Sequence, residues 1–121
     1  MTAMHRLCIL LGATALVAGC ATKQPLYNWG PLDDQVYGYF KNEAPEAQIA
    51  ILEKHAEVTK AQGKRLPHGY SAHLGLLYEK VGRSEDFIVA LEQEKASFPE
   101  SGPYIDSLLK NANRVTQDAK K

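Results

Sequence analysis

Few residues in this chain could do covalent chemistry, and the best placed of them is Cys20. It follows Val17-Ala18-Gly19, a branched aliphatic and two small residues, and it opens a polar segment. Small side chains just before a thiol let a peptidase grip the backbone there. The pattern therefore reads as a lipobox, with cleavage before Cys20 and lipid attached to its sulfur. Met1 to Gly19 has the matching shape: His5 and Arg6 start it, and Leu7 to Ala18 is an apolar run of twelve residues. Such a run spans about 18 Å as a helix at ~1.5 Å per residue, short of the ~30 Å of a bilayer core. A removed signal peptide fits better than a retained membrane span.

The other candidate groups point away from catalysis. Cys8 would leave with the signal, so no thiolate nucleophile or zinc ligand would remain. His68 and His73 are five residues apart, about 140° around a helix of ~3.6 residues per turn, and cannot jointly hold a metal. His55, among Lys54, Ala56 and Glu57, reads as a partly buried helix residue. Glu43, Glu46, Glu53 and Glu57 read as solvated charge, since paired-carboxylate hydrolysis needs a cleft that short helices do not supply. There is no Gly-rich phosphate loop and no Gly-x-Ser-x-Gly elbow. The expectation is a protein with no cofactor, no metal and no enzymatic reaction.

The elements that carry these residues form one small domain, all that 121 residues allow. Lysine plus arginine equals aspartate plus glutamate at 14 each, so no global field draws nucleic acid. The expected organisation is a signal peptide over 1–19, a lipidated tether over 20–28, a helical domain over 29–116 and a frayed tail over 117–121. Seven tether residues, 21–27, reach at most about 25 Å at ~3.5 Å each, so the domain would stay near the bilayer. With several acyl chains on Cys20 the anchoring would be stable, where one chain holds only marginally. Ala21 rather than Asp after the lipidated Cys leans towards the outer membrane, facing the periplasm.

Five short helices and no sheet are expected, an all-α fold. Gly30-Pro31 starts the first, with Asp33 and Asp34 in the turn where the helix dipole favours them and Leu32, Val36, Tyr39 and Phe40 at helical spacing. Pro45 suits the first turn of the second, whose stripe is Ile49, Leu52, Ala56 and Thr59, broadened by Ile51 and Val58. Tyr70, Leu74, Leu77 and Val81 form the third, closed by Gly82. Ser84 offers a hydroxyl to cap the fourth, with Phe87, Ile88, Leu91 and Phe98 as its stripe. Ser101-Gly102-Pro103 starts the fifth, carrying Ile105, Leu108, Leu109, Ala112 and Val115. The two-residue joint makes the third and fourth helices an antiparallel hairpin across Pro67 to Pro99.

Two resemblances attach to these residues. Leu74-Gly75, Tyr78, Gly82 and Pro99 resemble a tetratricopeptide repeat, in which Gly75 would let the two helices approach closely; Phe87 and Glu94 stand where that repeat has small residues. One such unit cannot cover its own apolar face. Tyr27-Asn28-Trp29-Gly30 followed by Asp and Tyr37-Gly38-Tyr39-Phe40-Lys41, with Glu94 to Ser101 later, resembles a bacterial lipoprotein family catalogued as domain of unknown function 4810. That resemblance implies partners in an outer-membrane assembly, among them a lipoprotein like the curli secretion channel.

The functional expectation is a non-catalytic, membrane-anchored periplasmic interaction module. Cys20 is its lipidation site, and Trp29, Tyr37, Tyr39, Phe40, Tyr70 and Tyr78 are candidate partner-binding residues. The bland reading of the first four is a core helix packed on the hairpin; the sharper one is an aromatic patch for headgroups or a partner lipoprotein. Two alternatives are a self-associating structural envelope lipoprotein and a cell-wall hydrolase or its activator.

Overall fold

The computed structural model describes residues 23–119. Cys8, Cys20 and the expected signal peptide lie outside the described residues. Five α-helices follow one another: α1 (Leu32–Phe40), α2 (Pro45–Ala61), α3 (Tyr70–Lys80), α4 (Ser84–Ser97) and α5 (Gly102–Asp118), with a 3-10 turn over Pro99–Ser101 before the last. Among the described residues there is no strand, only one isolated parallel bridge from Tyr27 to Arg65. The fold is all-α. No described helix is long and apolar enough to cross a membrane.

Local sequence explains most of the helix ends. Pro45 occupies the first turn of α2, where its missing N–H costs nothing. α2 and α3 close at Gly63 and Gly82, both with positive φ (65° and 76°). In each case the next residue's N–H reaches back to the carbonyl three positions inside the cap: Lys64 to Thr59 at 3.1 Å and Arg83 to Tyr78 at 2.9 Å. α1 closes the same way with Asn42 at φ 58°, and Glu43 N–H donates to the Gly38 carbonyl at 3.0 Å. The start of α4 differs from expectation. Arg83, not Ser84, is the capping position, and no side chain caps it. Ser84 is already the first helical residue. α5 runs to Asp118, past the residue-116 limit expected for the folded body.

α3 is the centre of the molecule. Tyr70, Ala72, His73, Gly75, Leu77 and Tyr78 are all buried, far more than the single stripe its spacing predicted. α4 runs antiparallel to it, since Gly69 meets Glu94 at one end and Gly75 meets Ala90 and Leu91 in the middle. A Cβ on Gly75 would lie 3.3 Å from Leu91 Cδ2 and 3.5 Å from Ala90 Cβ, so the two backbones approach closely there. α2 packs on the other side of α3, α1 packs on α2, and α5 packs on α4. Leu32, Ile49, Leu52, Phe87, Leu91 and Ile105 join the α3 residues in one core.

Several apolar residues expected inside lie outside. Ile51 and Val58 of α2, Ile88 of α4, Val115 of α5 and Phe40 of α1 are exposed. The helices pack in series, α1 on α2, α2 and α4 on α3, and α5 on α4, so part of each outer helix has no neighbour. Its stripe is covered along the centre and left bare at the margins.

Candidate functional site

The segment before α1 is fastened to the body rather than hanging free. Asn28 N–H donates to the Arg65 carbonyl at 2.8 Å, extending the Tyr27–Arg65 bridge. Tyr27 packs on Phe98, ring centroids 6.0 Å apart, with the Arg65 guanidinium 5.7 Å from the Tyr27 ring and 5.9 Å from that of Phe98. Tyr27 and Asn28, assigned by sequence to the tether, thus belong to the folded body.

A directional chain of hydrogen bonds continues inward from Asn28. Its side-chain amide donates to Thr59 Oγ1 at 2.8 Å. Thr59 Oγ1 lies 3.4 Å from His55 Nε2, and His55 Nδ1 lies 3.0 Å from the Tyr70 hydroxyl. That hydroxyl has one proton, donated to the Leu52 carbonyl at 2.8 Å. Tyr70 can then only accept from His55, which fixes the proton on Nδ1 and leaves Nε2 to accept from Thr59. A neutral imidazole satisfies every link, and burial holds His55 below its ordinary pKa of 6.5. Gly30 lies against the His55 ring so closely that a Cβ there would overlap it. Burial pushes the Tyr70 phenol well above its ordinary value.

Two further polar groups are enclosed. Glu94 is only 1% exposed; its Oε1 accepts from the Gly69 N–H at 2.6 Å and lies 3.4 Å from His68 Nδ1. Gly69 is the N-cap of α3, so this carboxylate sits at the positive end of the central helix. His73 is buried between α1 and α3, its ring 5.5 Å from that of Tyr39, and Lys80 Nζ lies 3.6 Å above the Tyr39 ring. Burial lowers the His73 pKa, a hydrogen bond to the Gln35 backbone opposes that, and the Lys80 charge lowers it further. Among the described residues, no three His, Cys, Asp or Glu side chains converge where a metal ion could bind.

The candidate partner residues divide into two groups. Tyr70 and Tyr78 are buried. Tyr70 closes the His55 chain, and the Tyr78 hydroxyl donates to Glu53 Oε1 at 2.8 Å under the Arg83 guanidinium, 4.4 Å from the ring. Both are taken up in joining α3 to α2 and present no surface. Tyr39 is half-buried against His73. Trp29, Tyr37 and Phe40 are open, at 53%, 63% and 76% exposure. Phe40 packs edge-on to Tyr39, centroids 5.6 Å apart, and Lys41 Nζ lies 5.2 Å from the Tyr37 ring.

What the sequence left unseen is mostly polar. The enclosed Glu94 and the Asn28–Thr59–His55–Tyr70 chain had no signal in residue spacing. The one pointer was Glu94 itself, a carboxylate at a helix position where the repeat pattern has a small residue.

These features define a helical domain around a buried, polar-stitched central helix, with open aromatic side chains at and just before α1 and at Tyr104 on α5. The family model described as Domain of unknown function (DUF4810) matches residues 26–108, and the chain belongs to that family. The match begins one residue before Tyr27, where the fastened segment begins. Comparison with curated proteins and with solved structures returned no match.

Proposed function

We propose that this protein is a lipid-anchored periplasmic interaction module of the bacterial envelope, held to the outer membrane through Cys20 and acting by contact rather than by catalysis. The observation that carries the reading is the contrast within one small domain. The Asn28–Thr59–His55–Tyr70 chain and Glu94 Oε1 are used in internal hydrogen bonds, while Trp29, Tyr37 and Phe40 stay open. Large aromatics of this kind anchor protein interfaces. The close α3–α4 approach at Gly75 supports reading that pair as a single tetratricopeptide-like hairpin, a scaffold on which the aromatic helix is carried. The partner is another envelope lipoprotein, such as one like the curli secretion channel.

The test has two parts. Fatty-acid analogue labelling of the full chain is expected to mark wild type and not Cys20→Ala; equal labelling of both removes the anchor. Co-purification from solubilised envelopes with the channel-like lipoprotein is expected for wild type and lost in the triple change of Trp29, Tyr37 and Phe40 to Ser. Equal recovery of both removes the aromatic patch as the interface.

A second reading, self-association, is favoured by one observation. Ile88 and Val115 are exposed and border a groove of about 210 Å³ between α4 and α5 that Phe87, Leu109 and Ala112 also line. A concentration-dependent dimer in light scattering would support it, and a monomer at all concentrations would remove it.

A further inference from the structure

A basic groove lies at the end of α2. The groove, of about 360 Å³ between that end and the α3–α4 pair, is lined by Lys60, Lys64 and Arg65, with Ser71, Gln93 and Ser97 as uncharged polar groups. Among the described residues no carboxylate lines it, although acidic and basic residues are equal in number along the chain. The described ion pairs of lysine and arginine use Arg83 and Lys95, neither of which lines this groove. The groove is therefore a local positive field in a neutral protein.

Its position relative to the chain's entry gives it a direction. Arg65 is the residue that Tyr27 pairs with and Asn28 bonds to, and Phe98, against which Tyr27 packs, also lines the groove. The polypeptide thus enters the body at the groove's rim. Seven residues lie between Cys20 and Asn28, a reach of at most about 25 Å. That tether lets the groove come within the ~8–10 Å over which an anionic bilayer is felt in physiological salt.

We propose that this groove faces the anchoring bilayer and binds the phosphate of anionic phospholipid headgroups, setting which side of the body the open aromatics present to a partner. The orientation rests on the lipid-anchor reading. The binding does not, because it follows from the charges alone. Lys60 and Lys64 also suit the negative end of α2, and that role alone would give no preference between neutral and anionic lipid.

Among the described residues the buried core and the apolar residues packed on it lie between Leu32 and Ala112, so the unacylated mature chain, residues 20–121, is suitable for the test. It is sedimented with vesicles of phosphatidylcholine alone and of phosphatidylcholine mixed with phosphatidylglycerol. Partition is expected only with the anionic vesicles, weakening as salt is raised. Lys60→Gln and Lys64→Gln should each lower it about five-fold, and the two together roughly twenty-five-fold, while Lys110→Gln on α5 leaves it unchanged. Equal partition into both vesicle types, or no loss in the double variant, overturns the proposal. So does saturation of the groove by inorganic phosphate, read as amide shifts at 60–65, without vesicle binding; that outcome makes it a site for free phosphate. Fatty-acid labelling separates the two readings. Unlabelled Cys20 with intact anionic partition removes the anchor alone, and labelled Cys20 with no anionic preference removes the groove proposal alone.

Discussion

The Glu94 carboxylate accepts a 2.6 Å hydrogen bond from the backbone N–H of Gly69, so α4 caps the helix it packs against. A carboxylate in a core is costly unless it is bonded, and here it meets both an N–H and the dipole of α3. Glu94→Ala removes the acceptor and leaves a hole in contact with an unpaired N–H. We expect a loss of about 2–4 kcal/mol, read from the urea midpoint. Glu94→Gln keeps an acceptor oxygen of the same shape and should lose less than half as much. Equal losses in both would mean that charge, not shape and bonding, is what matters at this position.

Tyr70→Phe tests the His55 chain. It deletes the donor to Leu52 and the acceptor for His55 Nδ1 together, at a cost of about 1.5–3 kcal/mol. Combined with Thr59→Val in a double-mutant cycle, the two changes should couple through His55 by more than about 0.5 kcal/mol. Additive losses would show that the links act separately.

Stability should fall on mild acidification. His55 and His73 both have folded-state pKa values lowered by burial, so the unfolded chain binds protons first as pH drops below about 6.5. Stability is therefore highest above that pH and declines below it, with a slope of up to about 1.4 kcal/mol per pH unit for His73. His55, less deeply enclosed, adds a smaller slope of the same sign. Thermal melts between neutral and mildly acidic pH should show this decline, and His73→Leu should flatten it. An unchanged slope in that variant would assign the pH dependence to other groups.

Gly75 and Gly30 should respond differently to a methyl group. At Gly75 the nearest atom is a flexible Leu91 methyl at 3.3 Å, and Ala favours a helix interior over Gly by ~1 kcal/mol. Gly75→Ala should be close to neutral, while Gly75→Leu wedges α3 from α4 and costs at least about 1–3 kcal/mol. Gly30→Ala meets the His55 ring at a positive φ of 49°, and should free the Asn28 segment. Hydrogen exchange at Asn28 N–H would register that release.

Replacing Trp29, Tyr37 or Phe40 with Ser should leave the unfolding midpoint within about 0.5 kcal/mol of wild type, as for exposed positions generally. A larger loss would mean that these rings support the fold rather than offer a surface.

How much of this could be read beforehand follows from which forces are local. Pro45, Gly63 and Gly82 mark helix ends because they act on their own backbone, and the Ile49–Leu52–Ala56–Thr59 stripe repeats along one helix. Ile51, Val58, Ile88 and Val115 were misjudged because burial at a stripe's margin depends on a second neighbour, which periodicity does not encode. Glu94 and His55 are the opposite case. Spacing rules put a carboxylate such as Glu94 in water, and they left His55 partly buried without naming its partner; only Gly69 and Tyr70, arriving from another helix, supply the bonds that make these positions favourable. Ser84 failed for a one-residue reason, since the helix begins on it rather than after it.

The pairing of Tyr27 with Arg65 also sets an order of events. A polypeptide emerging from its N-terminus presents Tyr27 to Gly30 long before Arg65 and His55 exist to receive them. The entry strap must wait for α2 and its exit loop, and its packing on Phe98 must wait for the end of α4. By the same geometry it should open first, and a pull on the chain ahead of Tyr27 would be felt at the joint between α2 and α3 while α1 stays slack.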